Sequence, residues 1–208
     1  MHQQHLVALG FAWGTLALAT CAAAQVPFTE KQVQLSVGLS YGVYLGNTTE
    51  DIPTPYGLGL AAKGGFTFDP SVYLGGELNY FFGATRRFPE YGDVEGSLSV
   101  LHYGAEAGYD VGLGRSLVLR PKFGIGSATV TAEATVEDVT DDISQSGLAA
   151  TVGVQALGGG ETWFLTVEAR YTYLSVSTEQ LQQIPGMAVD GDAQLDGLLL
   201  SVGVGIAF

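Results

Sequence analysis

Apolar residues alternate with small or polar ones along most of this chain. From Gln32 to Leu45, the residues Val33, Leu35, Val37, Leu39, Tyr41 and Val43 interleave with Gln34, Ser36, Gly38, Ser40 and Gly42. An extended strand with that period of two has one apolar face and one small or polar face. The alternation recurs over 56–68, 72–82, 97–111, 116–132, 147–157, 162–176 and 195–208. The pattern predicts eight strands and an all-β fold.

The links between these strands alternate in length. Asp69 to Ser71, Gly112 to Arg115 and Gly158 to Glu161 are short and rich in Gly, Pro and Asp, as tight turns require. The links 46–55, 83–96, 133–146 and 177–194 are long. Turns at one end and loops at the other predict an eight-stranded antiparallel up-and-down transmembrane β-barrel, with periplasmic turns and termini and extracellular loops.

Composition agrees with this architecture. Hydrophobic residues make up 47% of the chain and charged residues 14%, yet beyond the N-terminal segment no run approaches the ~20 apolar residues of a membrane helix. Only helices and closed barrels satisfy every backbone group in lipid. The apolar stretch Leu6 to Ala19, followed by Ala22, Ala23 and Ala24, suits cleavage of a signal peptide before Gln25. Residues 1–24 are therefore expected to be a signal peptide and 25–208 the barrel. His2 and His5 stand where a signal peptide usually carries Lys or Arg, and a buried N-terminal helix is the alternative. Cys21, the one cysteine, lies in this segment, so a chain starting at Gln25 has no disulfide. Leu18, Ala19, Thr20 and Cys21 also resemble a lipoprotein signal box, with Thr20 where a smaller residue is usual.

In the last strand Leu198, Leu200, Val202, Val204, Ile206 and Phe208 share one face, and Gly203, Gly205 and Ala207 share the other. This ending resembles the C-terminal signature of outer-membrane β-barrel proteins. The resemblance implies an outer-membrane location amid lipid and lipopolysaccharide. It also implies recognition by the barrel assembly machinery, with Phe208 as the signal. A monomer is expected.

The same apolar-out phase turns Lys63, Glu77, Glu106, Arg120, Lys122, Glu168 and Arg170 inward. Lys63 and Glu77 are symmetric about Pro70, and Glu106 and Arg120 about Leu113, so each hairpin sets an acid opposite a base. Unpaired charges in a low-dielectric interior are costly. A network is therefore expected, completed by Glu168 and Arg170, with Tyr73, Asn79, His102, Thr151 and Gln155 as hydrogen-bond partners. The layer resembles the interior salt-bridge cluster of outer-membrane protein A type barrels and implies a lumen without an open pore at rest. The peptidoglycan-binding domain that follows such barrels is not in this sequence. A lipocalin barrel also alternates, but it keeps its charges outside.

Formal net charge is −13. The long links hold Glu50, Asp51, Glu90, Asp93, Glu95, Glu133, Glu137, Asp138, Asp141, Asp142, Glu179, Asp190 and Asp192 against Arg86 and Arg87. The densest run, Glu133 to Asp142, suits divalent cations bridging to lipopolysaccharide. The plainer alternative is a solvated, self-repelling surface. Asp190 and Asp192 begin a calcium-loop motif that Gln194 and Leu195 break.

No enzyme is expected. His102 is the only histidine after Gln25, and no Ser or acid stands near it in triad spacing, although Glu106 lies four along the same face. No cofactor motif, metal-ligand set or nucleic-acid feature accompanies it. Inward glycines such as Gly57, Gly59, Gly104, Gly108, Gly124 and Gly126 make room in a narrow lumen. Outward aromatics, among them Tyr41, Tyr56, Phe68, Tyr80, Phe82, Tyr109, Tyr171, Tyr173 and Phe208, are placed as interfacial girdles. The sequence thus predicts a structural or surface-interaction barrel, with a small gated channel as the alternative and a lipid A enzyme behind it. Glu77→Ala should cost about 3–5 kcal/mol by stranding its buried partner, far more than Glu137→Ala in an acidic loop. Urea unfolding of the two variants in detergent compares them, and equal midpoints would count against the buried network.

Overall fold

Eight antiparallel strands close into one barrel, because the first pairs with the last. They are β1 (Val33–Tyr44), β2 (Leu58–Phe68), β3 (Val72–Phe81), β4 (Val94–Tyr109), β5 (Leu117–Val136), β6 (Val139–Gly159), β7 (Trp163–Val176) and β8 (Gly197–Ala207). The computed structural model describes residues 32–45, 55–68, 71–83, 85–88, 94–136, 139–176 and 193–208. The expected signal peptide, Cys21, loop 46–54, Asp69, Pro70 and residues 177–192 lie outside the described residues, as do the acids Glu90, Asp93, Glu137 and Asp138.

Each strand pairs with its sequence neighbours, and β1 pairs with β8 from Gln34↔Ala207 to Tyr44↔Gly197. Val33 and Phe208 finish the seam by exchanging backbone hydrogen bonds of 3.1 and 3.0 Å. A lateral row followed from Ala149 passes through Gly126, Gly104, Glu77, Lys63, Ser36, Gly205 and Phe164, and returns to β6 at Gly159. The stagger between Ala149 and Gly159 is the shear of the barrel, and it tilts every strand against the axis.

Over the turn-side two thirds of the wall, apolar side chains point outward. Val37 is 62% exposed and Phe123 65%, in a band with Leu35, Leu39, Leu60, Leu74, Leu78, Val152, Val167 and Val202. A contiguous apolar surface of this kind marks a lipid-facing wall. Exposed aromatics gather near its two rims: Phe66, Phe68, Tyr109, Trp163 and Phe208 toward the turns, and Tyr41, Tyr80, Phe82, Tyr103 and Tyr171 toward the loops.

Two of the expected loops are partly strand. The segment 133–146 continues β5 and β6 as a hairpin paired up to Val136↔Val139. In the link 83–96, Thr85–Phe88 pairs with Val94–Ser97. The acids of 133–142 suggested a solvated loop, but the residues between them are mostly β-branched, and hydroxyls along the hairpin make cross-strand hydrogen bonds. Thr129 meets Ser146 at 3.1 Å, Thr131 meets Ser144 at 2.9 Å and Thr135 meets Thr140 at 3.0 Å. With 20 and 21 residues, β5 and β6 reach about 65 Å at roughly 3.3 Å per residue, well beyond an apolar band ~25 Å tall.

Beyond the band the wall exchanges its faces. On β5 the outward residues change from Phe123 and Ile125 to Ser127, Thr129, Thr131 and Glu133, while the inward ones become Ala128, Val130 and Ala132. The hairpin above the lipid is thus apolar inside and polar outside, as in water-soluble sheets.

Tyr56 was expected on the lipid face and is instead 1% exposed, with its hydroxyl donating to the Leu195 carbonyl at 2.7 Å. Gly57 has φ of +147°, a conformation L side chains rarely adopt, and this bend breaks the alternation just before β2 and turns Tyr56 inward. Glu133 and Asp142 form a direct cross-strand pair of like charge on the exposed hairpin. Asp142→Asn should raise stability by about 0.2–1 kcal/mol, read as a higher urea midpoint at low salt that converges with the parent as salt screens the repulsion.

Candidate functional site in the barrel lumen

The inward faces bring the charged residues of five strands together. Lys63 of β2 stands opposite Glu77 of β3 in the ladder, with their charged atoms 3.6 Å apart. The closer hydrogen bond of Lys63 goes to Glu168 on β7. Lys122 on β5 donates to Glu106 of β4 at 2.5 Å and lies 3.0 Å from Glu168. Arg170 donates to Glu77 and lies 3.7 Å from Glu168. Asn79 adds a 3.3 Å hydrogen bond to Glu77. Glu168 is the hub, in contact with Lys63, Lys122 and Arg170.

A second tier lies nearer the turns. Arg120 grips Asp110 through Nε at 2.5 Å and Nη2 at 2.9 Å, and Nη2 also donates to Gln34 at 3.0 Å. Gln34 in turn donates to Thr67 at 3.1 Å. The guanidinium carbon sits 3.8 Å from the Tyr73 ring centre, and the Tyr73 hydroxyl donates to Glu106 at 3.1 Å, joining the tiers. A bidentate Arg–carboxylate pair is among the strongest ion-pair geometries available to a protein.

Arg120 therefore does not face Glu106, as symmetry about Leu113 suggested. Glu106 is opposite Gly124 and Gly108 opposite Lys122, so the hairpin centres two residues later, on Arg115. Pairing continues through Val111 and Gly112, and the chain reverses at Gly114, with φ of +135°, before Leu113 N–H closes the turn onto the Leu117 carbonyl at 2.8 Å. Asp110 was missed because its partner is visible only with that register. His102 has Glu77 as its neighbour, 3.5 Å from Nδ1 to Oε1, rather than Glu106. Thr151 and Gln155 are buried on the lumen side, Gln155 opposite Glu168 in the ladder.

Acids and bases balance in this layer: Glu77, Glu106, Asp110 and Glu168 accompany Lys63, Arg120, Lys122 and Arg170. Apolar clusters bound it at both ends. Val118, Leu157, Phe164 and Ala207 lie on the turn side. On the loop side Tyr56, Phe81, Leu98, Val100, Val130, Leu174, Val176 and Leu199 form a larger cluster, with the Tyr56 and Phe81 rings edge to face at 5.4 Å. Alternation alone suggested a lumen of small and polar residues throughout, and these clusters depart from it.

A closed eight-stranded barrel with a lipid-facing exterior and charged interior matches the family described as outer membrane protein beta-barrel domain over residues 14–208. The chain belongs to that family. Members of this family sit in the bacterial outer membrane among lipid and lipopolysaccharide, so the lipocalin reading is set aside. No curated protein sequence matches the chain. Three of the solved structures to which the barrel is similar have TM-scores above 0.5. One is Ail, the attachment invasion locus protein of Yersinia pestis, at 16% identity and TM-score 0.52, covering 86% of this chain and 99% of that one. Another is Neisserial surface protein A, at 15% identity and TM-score 0.51, covering 85% and 96%. The third is a major outer membrane protein from Thermus thermophilus, at 16% identity and TM-score 0.53, covering 85% and 99%. At these identities the likeness is one of fold. In this member of the family, Asp110→Ala strands Arg120 and should lower unfolding stability by about 3–5 kcal/mol. Chemical denaturation in micelles measures it, and a loss no larger than that of an exposed Arg115→Ala control would show that the bidentate pair contributes little.

Proposed function

We propose that this protein is a closed, non-enzymatic structural barrel of the outer membrane, whose lumen is plugged by the charge layer and whose acidic hairpin end is offered to the surroundings. One observation carries the reading: a charge-balanced, hydrogen-bonded layer is buried between two apolar clusters. An ion crossing the barrel would have to displace the apolar loop-side cluster and then break pairs that are costly to separate. The interior of an eight-stranded barrel is only wide enough for its own side chains. The turns are assigned to the periplasm and the long hairpin to the cell exterior, since β5 and β6 extend on that side only.

His102 supports a non-enzymatic role by its place: it is 3% exposed, faces the lumen and is separated from lipid by the barrel wall. The barrel is read as a monomer because its first and last strands close on each other and leave no edge. Divalent cations at the hairpin would act by relieving the repulsion between Glu133 and Asp142. In planar bilayers the purified barrel should insert without a reproducible conductance step; a steady open level would replace this reading with that of a small-solute channel.

A further inference from the structure

Near the loop-side aromatic rim the lipid-facing wall has a notch, and a carboxylate stands just loopward of it. Ala169 on β7 faces outward among larger residues, with Val167 and Tyr171 on either side along the strand and Leu200 and Val154 beside it in the ladder. Its short side chain opens an apolar groove of about 330 Å³, enclosed by Leu39, Tyr41, Val167, Leu200 and Val202. A depression of this size suits a segment of one hydrocarbon chain.

Asp196 follows Leu200 and Leu198 loopward along the outward face, immediately before β8. The Tyr171 hydroxyl donates to its Oδ2 at 2.5 Å, and the Leu45 N–H donates to its carbonyl at 2.9 Å and fixes the backbone there. The Tyr171 ring therefore lies between the notch and the carboxylate. A carboxylate can accept at about four sites, yet Asp196 Oδ1 has no hydrogen-bond partner among the described residues.

Nor does the chain bring a cation to it. Of the eight Lys and Arg residues, Lys63, Arg120, Lys122 and Arg170 are held in the charge layer. Arg115 is in a turn at the opposite end, Lys31 precedes β1, and Arg86 and Arg87 lie in the link after β3, three strands away. The links that adjoin Asp196 in the ladder, 46–54 and 177–192, contain no Lys or Arg. A counter-charge must come from outside the chain.

Groove and carboxylate together select an amphiphile. An anionic headgroup would be repelled by Asp196 in a chain of net charge −13. A quaternary ammonium carries the right charge but no N–H. A primary ammonium has three donors, and its hydrogen bond to a carboxylate is charge-assisted and strengthened beside a low-dielectric medium.

We propose that this face binds a membrane lipid with a primary ammonium headgroup, which pairs with Asp196 while one acyl chain descends past the Tyr171 ring into the groove over Ala169. Tyr171 holds the carboxylate at the rim for the headgroup. The site lies on the outer wall, so it stands whether or not the lumen conducts.

Native mass spectrometry of the full barrel, released from micelles holding equal amounts of phosphatidylethanolamine and phosphatidylcholine with the same acyl chains, tests it. The barrel should retain one phosphatidylethanolamine in at least several-fold preference to phosphatidylcholine. Asp196→Asn, which keeps an acceptor for Tyr171 but removes the charge, should bring the ratio of the two lipids to about one. Ala169→Phe, which fills the notch from the lipid side, should lower retention of both lipids several-fold, with heat-modifiable migration showing that each variant is folded. Equal retention by the parent barrel would overturn the proposal, as would a preference that survives Asp196→Asn or retention that survives Ala169→Phe. Stronger, calcium-dependent retention of phosphatidylglycerol added to the same micelles would overturn it in favour of a cation bridge.

Discussion

Closure of the hydrogen-bond ladder is the constraint from which the rest of this structure follows. In hydrocarbon every unpaired backbone group is expensive, so a sheet must have no edge. The chain meets this by pairing β1 with β8 down to the exchange between Val33 and Phe208. Closing eight strands with the observed stagger leaves little freedom over which inward residues meet. Lys63, Lys122 and Arg170 reach the carboxylate of Glu168 from three strands because the shear brings residues of unlike sequence position to one level.

The medium outside the wall then decides which face is which. Where lipid surrounds the barrel, the apolar face turns outward and ionisable groups collect inside, where each finds an opposite charge. Where the hairpin of β5 and β6 rises beyond the aromatic rim, water replaces lipid, and the same strands carry Thr and Ser outside and Val and Ala inside. The switch occurs within consecutive residues of β5, between Ile125 and Ala128. The apolar cluster beneath the hairpin is the core of that water-exposed part, and it caps the charged part below it.

On the proposed reading, a lumen so arranged favours permanence over passage. Its ion pairs are hydrogen-bonded, balanced in sign and enclosed, so each resists removal of its partner even though the whole set is weak evidence for net stability. On the proposed reading, what the barrel offers to its surroundings is the hairpin, where Glu133 and Asp142 form an acidic pair on a hydroxyl-laddered sheet.

Sequence alone determined the number of strands, the positions of most turns, the direction most side chains face and all but one member of the charge layer, because alternation is a local property set by the pleat. It pointed to Lys63 opposite Glu77 because the turn at Pro70 centres that hairpin. It misplaced the partner of Arg120 and overlooked Asp110, since moving the hairpin centre by two residues, and with it every pairing by four, preserves every inward and outward assignment. Tyr56 was misread because one positive φ at Gly57 reverses a face without altering the pattern around it. Which strands meet across the lumen, and hence that Glu168 is the hub and that apolar clusters lie at both ends, was decided only by the tertiary structure. Those contacts depend on the shear of the closed barrel, a sum of pairings around the whole ring that no single segment of sequence contains.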